Sequence, residues 1–104
     1  MSLRAQAVLD FWFVETPSEK RFKKDAEFDQ LIKDNFLKDY ELASLNEYDD
    51  WQDTPMGVLA LIILFDQFSR NIFRDDKKAF EQDTKARLIV SDAVHAGFLE
   101  EMDQ

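Results

Sequence analysis

The sequence predicts an all-α domain, and three observations carry that prediction. Only two glycines and two prolines occur in 104 residues, so the tight turns of β-hairpins have little raw material. Hydrophobic residues make up 45% of the chain and aromatics 13%, which supplies a folded core and argues against disorder. The apolar positions recur at three- and four-residue spacing, the period of a helix. A chain of this length forms one domain. About four helices fit, as antiparallel pairs in a tetratricopeptide-like stack or as a small bundle.

The first helix is predicted over about Leu3 to Phe13, with Leu3, Ala7, Val8 and Phe11 on one face. Thr16-Pro17-Ser18 ends it, because the residue before a proline is driven out of the α region. The second runs from about Ala26 to Leu45 behind Asp25 as N-cap. Its stripe is Phe28, Leu31, Ile32, Phe36 and Tyr40, with Lys33, Asp34, Lys38 and Asp39 off that stripe. A polar connector, Asn46 to Asp53, comes next, and Trp51 within it is expected to fold back onto the core. Thr54-Pro55 then opens the third helix as a hydroxyl cap and a proline at the first helical position. From Val58 to Phe65 this helix is apolar on every side, which makes it the central element. The fourth is predicted from about Lys77 to Ala96, with Phe80, Ala86, Val90, Ala93 and Val94 along one face and Asp75 or Asp76 capping its start. Gly97 stands where a left-handed C-terminal cap belongs.

Charge and composition exclude several functions. Twenty-two acidic residues against 13 basic ones leave a formal net charge of -9. Such a field repels phosphate backbones and anionic membranes, so neither nucleic acid nor membrane is an expected partner. The absence of cysteine removes disulfides, thiolate nucleophiles and cysteine-based metal sites, and fits a reducing compartment. The N-terminus lacks the form of a signal peptide, and the longest apolar run, Met56 to Phe65, is about half the roughly 20 residues of a bilayer span. A cytoplasmic location is the expectation.

One concentrated polar signal remains, from Asp66 to Arg74. Asp66 and Arg70 are four residues apart on one helical face, the spacing of a structural ion pair. Gln67 and Asn71 repeat that spacing beside them. Arg70 and Arg74 also complement the negative end of the helix dipole. Read chemically, Gln67, Arg70, Asn71 and Arg74 form a ligand site that grips a carboxylate or phosphate, with Phe68 and Phe73 as walls. The structural reading has the greater weight, because charges near a core are usually paired for structural reasons. His95, with Asp92 one turn before it, is the sole histidine and offers one further proton carrier; a surface histidine near a helix C-terminus explains it as well. No metal site and no cofactor is expected: the chain has no Gly-rich phosphate loop, no paired-histidine helix, no serine elbow and no calcium loop. No catalytic residue is nominated.

Two details point beyond the chain itself. Phe11, Trp12 and Phe13 are consecutive and spread over about 200° of a helix, more than one small core covers. The central helix likewise needs neighbours on all sides. Either another chain covers these faces or the sequence is the N-terminal part of a longer domain.

The motif Val8-Leu9-Asp10-Phe11-Trp12-Phe13 is followed by Phe22, Lys24-Asp25, Phe28-Asp29 and Trp51 with Thr54-Pro55. The run from Leu59 to Arg74 comes next, with Ala79-Phe80 and Asp83 after it. In this order these residues resemble a bacterial family known as domain of unknown function 924, over nearly the whole chain. The resemblance implies an all-helical, tetratricopeptide-like stack and no established activity. It also implies a longer protein, since family members continue into a C-terminal half with an aromatic, Pro- and His-containing segment.

Two functional expectations result. The first is a non-enzymatic helical-repeat-like module that binds a protein, a peptide or itself. The second is a small-molecule enzyme or sensor that takes an anionic ligand through Gln67, Arg70, Asn71 and Arg74, with His95 or Asp66 as proton carrier.

Overall fold

The fold is that of a computed structural model, which describes residues 3–16, 25–74, 76–95 and 97. Four helical rods succeed one another among these residues. Helix α1 is Leu3–Asp10, prolonged by a π-helical turn, Phe11–Glu15. Helix α2 is Ala26–Ser44. Helix α3 is Pro55–Ile62, which continues through a π-helical turn, Ile63–Phe68, into a last α-helical turn, Ser69–Ile72. Helix α4 is Asp83–His95. Short 3-10 helices, Asp49–Asp53 and Lys77–Phe80, sit in the connections before and after α3. The all-α expectation holds. No helix among the described residues is long and apolar enough to cross a membrane.

The helix starts arise from local chemistry. Asp25 is extended, and its carboxylate accepts a hydrogen bond from the Phe28 amide at 3.1 Å. Thr54 does the same for the Gly57 amide at 3.1 Å, with Pro55 just inside the helix. Each cap satisfies an amide that has no partner within its helix. Asp76 caps the 77–80 turn through the Lys78 amide. Asp75, like Pro17, Ser18, Phe22, Lys24 and Ala96, lies outside the described residues. Gly97 has φ of 79°, the left-handed region expected there.

Helix α3 occupies the centre, touching α1, α2, α4 and the 49–53 turn. Val58, Ala60, Leu61, Ile63, Leu64, Phe65 and Phe68 are all buried, so the helix hides apolar side chains around most of its girth. At the top of α3, the 49–53 turn lies so close that a Cβ on Gly57 would stand 2.0 Å from the Trp51 carbonyl oxygen. Only glycine fits there. Trp51 is itself buried, stacked on Tyr48 with ring centroids 4.2 Å apart.

Below it, the two π-helical turns face each other across an aromatic cluster. Phe68 meets Phe11 at 5.8 Å, Trp12 at 5.8 Å and Phe36 at 4.8 Å between ring centroids. A π turn takes in one more residue than an α turn and so rotates the helix beyond it. Here it keeps Ser69, Asn71 and Ile72 buried at the end of α3. The Ser69 hydroxyl, fully buried, lies 2.5 Å from the Phe65 carbonyl and 3.0 Å from that of Ala79. It thereby joins the 77–80 turn to α3.

A polar pin holds α1 to α2. Asp39 is buried, and its carboxylate accepts from the Arg4 guanidinium at 2.6 and 3.1 Å and from the Tyr48 hydroxyl at 2.7 Å. A buried carboxylate is tolerable only when its lone pairs are filled this way. The hydrogen bond to Asp39 is also what raises the Arg4 pKa above its ordinary value. Burial first, then the Asp39 hydrogen bond and charge, push the Tyr48 phenol from 10.0 up to about 12.

Three sequence expectations are corrected. The buried stripe of α1 is Ala5, Val8, Leu9 and Trp12, while Leu3 is exposed and Ala7 and Phe11 lie at the core's edge. Turning the helix this way puts the largest side chain, Trp12, against Phe68 and leaves Phe13 outside. In α2, Leu31 is exposed and Asp39 is buried, because Arg4 and Tyr48 supply the partners that make a carboxylate acceptable there. The predicted fourth helix divides into the 77–80 turn and α4, with Phe80, Val90 and Val94 exposed and Ala86, Ile89 and Ala93 buried. The anchoring of Ala79 to Ser69 fixes a turn ahead of α4 and shifts its inner face.

Arg4→Ala is expected to lose about 1–3 kcal/mol in urea unfolding, because it strips a buried carboxylate of two donors. Adding Asp39→Leu should recover part of that loss; no recovery would mean that Arg4 acts through packing. The raised Tyr48 pKa means that the fold prefers the neutral phenol. That contribution is full below pH 10.0 and is lost as pH rises through about 12. Tyr48→Phe should therefore flatten the alkaline decline in melting temperature over this window, and an unchanged decline would assign it to other groups.

Candidate functional site: the polar end of α3 and the groove beside α4

The π turn and last α turn of α3, with Arg74 just past them, carry the predicted cluster, and the structure separates it into two groups. On one side, Arg70 reaches the Asp66 carboxylate at 2.8 Å and also donates to the Asp66 carbonyl. It extends to Asp83 at the start of α4, at 3.3 and 3.4 Å. Its guanidinium carbon lies 5.0 Å from the centre of the Phe80 ring. Gln67 bonds back to the other Asp66 oxygen at 2.8 Å.

On the other side, Asn71 and Arg74 turn toward α2. The Asn71 amide donates to Asp29 at 2.9 Å. Arg74 grips the same carboxylate with its Nε and, at 3.0 Å, with one terminal nitrogen. Gln67 and Asn71, four residues apart, therefore serve different carboxylates. Asp29 and Asp83 stood in the sequence only as positions of the family motif, with no role in the cluster assigned to them. Each lies in the first turn of its helix, a position that reads as dipole compensation until the partner across the fold is known.

The electrostatics depend on this pairing. Among the described residues, two guanidinium groups, Arg70 and Arg74, meet three carboxylates, Asp29, Asp66 and Asp83. An incoming anion would have to displace a carboxylate already in place. The Asp66–Arg70 pair is partly open to water, with side-chain exposures of 39% and 37%, whereas Asp29 is 14% exposed. Solvent screening makes the first pair the weaker. The expected walls are also placed elsewhere: Phe68 is fully buried in the aromatic cluster, and Phe73 packs on Tyr40 at 5.3 Å. His95 is on the surface, with Nδ1 2.8 Å from the Ser91 carbonyl oxygen. Among the described residues, no three His, Asp or Glu side chains converge as a metal ion requires.

Between α3 and α4 runs an open groove of about 570 Å³. Its floor is Ile62, Ala86 and Val90, and Asp66, Arg70, Asp83 and Arg87 stand around it. Val94, 49% exposed, continues the apolar surface along α4, and Phe80, 58% exposed, projects at the other end. A second recess, about 460 Å³, lies beside Arg70, Arg74, Lys77 and Phe80.

Arg74→Ala is expected to destabilise the protein by about 1–3 kcal/mol, since it weakens the support of a mostly buried carboxylate. Arg70→Ala should cost about 1 kcal/mol or less, as partly exposed pairs do. Chemical denaturation of the two variants checks this order, and the reverse order would mean that the Arg70 side is the structural one.

The family model described as a bacterial protein of unknown function (DUF924) matches residues 8–104. A solved structure, the protein of unknown function ATU0120 from Agrobacterium tumefaciens, is similar at 36% sequence identity with a TM-score of 0.85. The match covers 91% of this chain and 53% of that one, so the chain spans about half the length of this relative. No curated protein matches. With a family model matched over nearly the whole chain and a relative of the same fold at 36% identity, the chain belongs to the DUF924 family of bacterial proteins.

Proposed function

We propose that the protein is a non-enzymatic helical interaction module that docks a helical protein segment in the groove between α3 and α4. The observation that carries this reading is the open apolar floor of Ile62, Ala86 and Val90, continued by exposed Val94. An amphipathic helix lays apolar side chains into such a groove, and the charged residues around it set orientation. Apolar side chains gathered on one face of a small acidic protein are the usual mark of an interaction surface. A cytoplasmic location belongs to the same reading and is supported by the lack of cysteine.

The small-anion alternative draws on the recess beside Arg70, Arg74 and Lys77. It is weakened by the carboxylates that already occupy both guanidinium groups. A displayed library of amphipathic helical peptides separates the two. Selection should return binders that lose affinity for Val90→Asp, while phosphate and dicarboxylates leave the melting temperature unchanged. A thermal shift by an anion that vanishes in Arg70→Ala, with no peptides recovered, would replace the docking reading with the small-molecule one.

A further inference from the structure

The geometry points to a second copy of this chain as the occupant of the groove, with Phe80 of each copy seated in the groove of the other. This rests on the groove being a docking face, and it names what docks.

The face has the right shape. Phe80 projects into solvent and stacks under Arg70, and Arg70 also lines the groove floored by Ile62, Ala86 and Val90. A projecting aromatic ring and an apolar recess thus share one face. A patch that carries both knob and hole is complementary to itself, which is what a two-fold interface demands.

Its charge is also right. With a formal charge of -9, two copies repel each other over most of their surface. Around the groove, Asp66 and Asp83 are balanced by Arg70 and Arg87. Like copies can meet there without that repulsion, and a strongly basic partner finds no local excess of acid to favour it.

The register of α4 agrees with that charge balance. Two α4 helices approaching antiparallel about a two-fold axis can set Asp83 against Arg87 of the second copy, once in each half of the interface. Helix α4 has 13 residues, about 20 Å of length, so the face is short of what a permanent dimer buries. The association is reversible and depends on concentration.

Sedimentation equilibrium of the full chain tests this. The wild-type protein should pass from monomer to dimer as concentration rises, and Phe80→Ala should raise the dissociation constant about tenfold or more. Asp83→Arg and Arg87→Asp should each be monomeric alone, because each sets like charges face to face. Mixed together they should form a heterodimer, a result that misfolding cannot produce. A wild-type protein that stays monomeric at sub-millimolar concentration overturns the inference. So does a dimer unaffected by Phe80→Ala, or charge variants that fail to pair when mixed while each still unfolds cooperatively. If a monomeric wild type still binds selected peptides in a manner sensitive to Val90→Asp, the groove remains a docking face and only the second copy is wrong. If those peptides are also lost, both readings fail.

Discussion

A helix that is apolar around its whole circumference has to be wrapped, and the rest of this structure answers that requirement at α3. Each neighbour covers one sector: α1 and α4 lie along its first turns, α2 covers the π turn and the end, and the 49–53 turn closes the top. The cover is nearly complete. Leu59 and Ile62 are partly open apolar residues of the α-helical body, and Ile62 is the one that floors the groove. The groove is thus a gap in the wrapping of the central helix.

The wrapping helices are then locked by carboxylates that face inward or sideways and are met by arginines from another element. Arg4 from α1 meets Asp39 of α2, Arg74 at the end of α3 meets Asp29 of α2, and Arg70 of α3 meets Asp83 of α4. Each of these pairs joins two elements, so the ion pairs orient helices that apolar packing alone would allow to rotate. This also explains why an acidic protein concentrates arginines at the end of its central helix. They answer acids from its neighbours.

Much of this was legible in the sequence where the cause is local. The caps at Asp25 and Thr54-Pro55, the left-handed Gly97, the all-round apolar third helix and the folding back of Trp51 each depend on a few consecutive residues. What was not legible depends on partners far along the chain. Nothing around Asp39 announces that Arg4, 35 residues away, will make its burial acceptable. Asn71 and Arg74 lie 42 and 45 residues from Asp29, so their shared carboxylate could not be nominated from spacing. The exposed Phe80 and Leu31 were missed for the opposite reason: periodicity assigns an apolar residue to a face without saying whether that face meets a neighbour.

The close approach of Trp51 to Gly57 has a consequence for the order of assembly. Tyr48, Trp51, Thr54 and Gly57 make their stack, cap and backbone contact within about ten residues of one another. Closing so short a loop forfeits little chain entropy, whereas joining Asp29 to Arg74 requires a far longer one. The start of α3 and the turn above it therefore form a less expensive nucleus than any that needs the long-range ion pairs. The long-range ion pairs act later, as latches on helices already gathered around the central one.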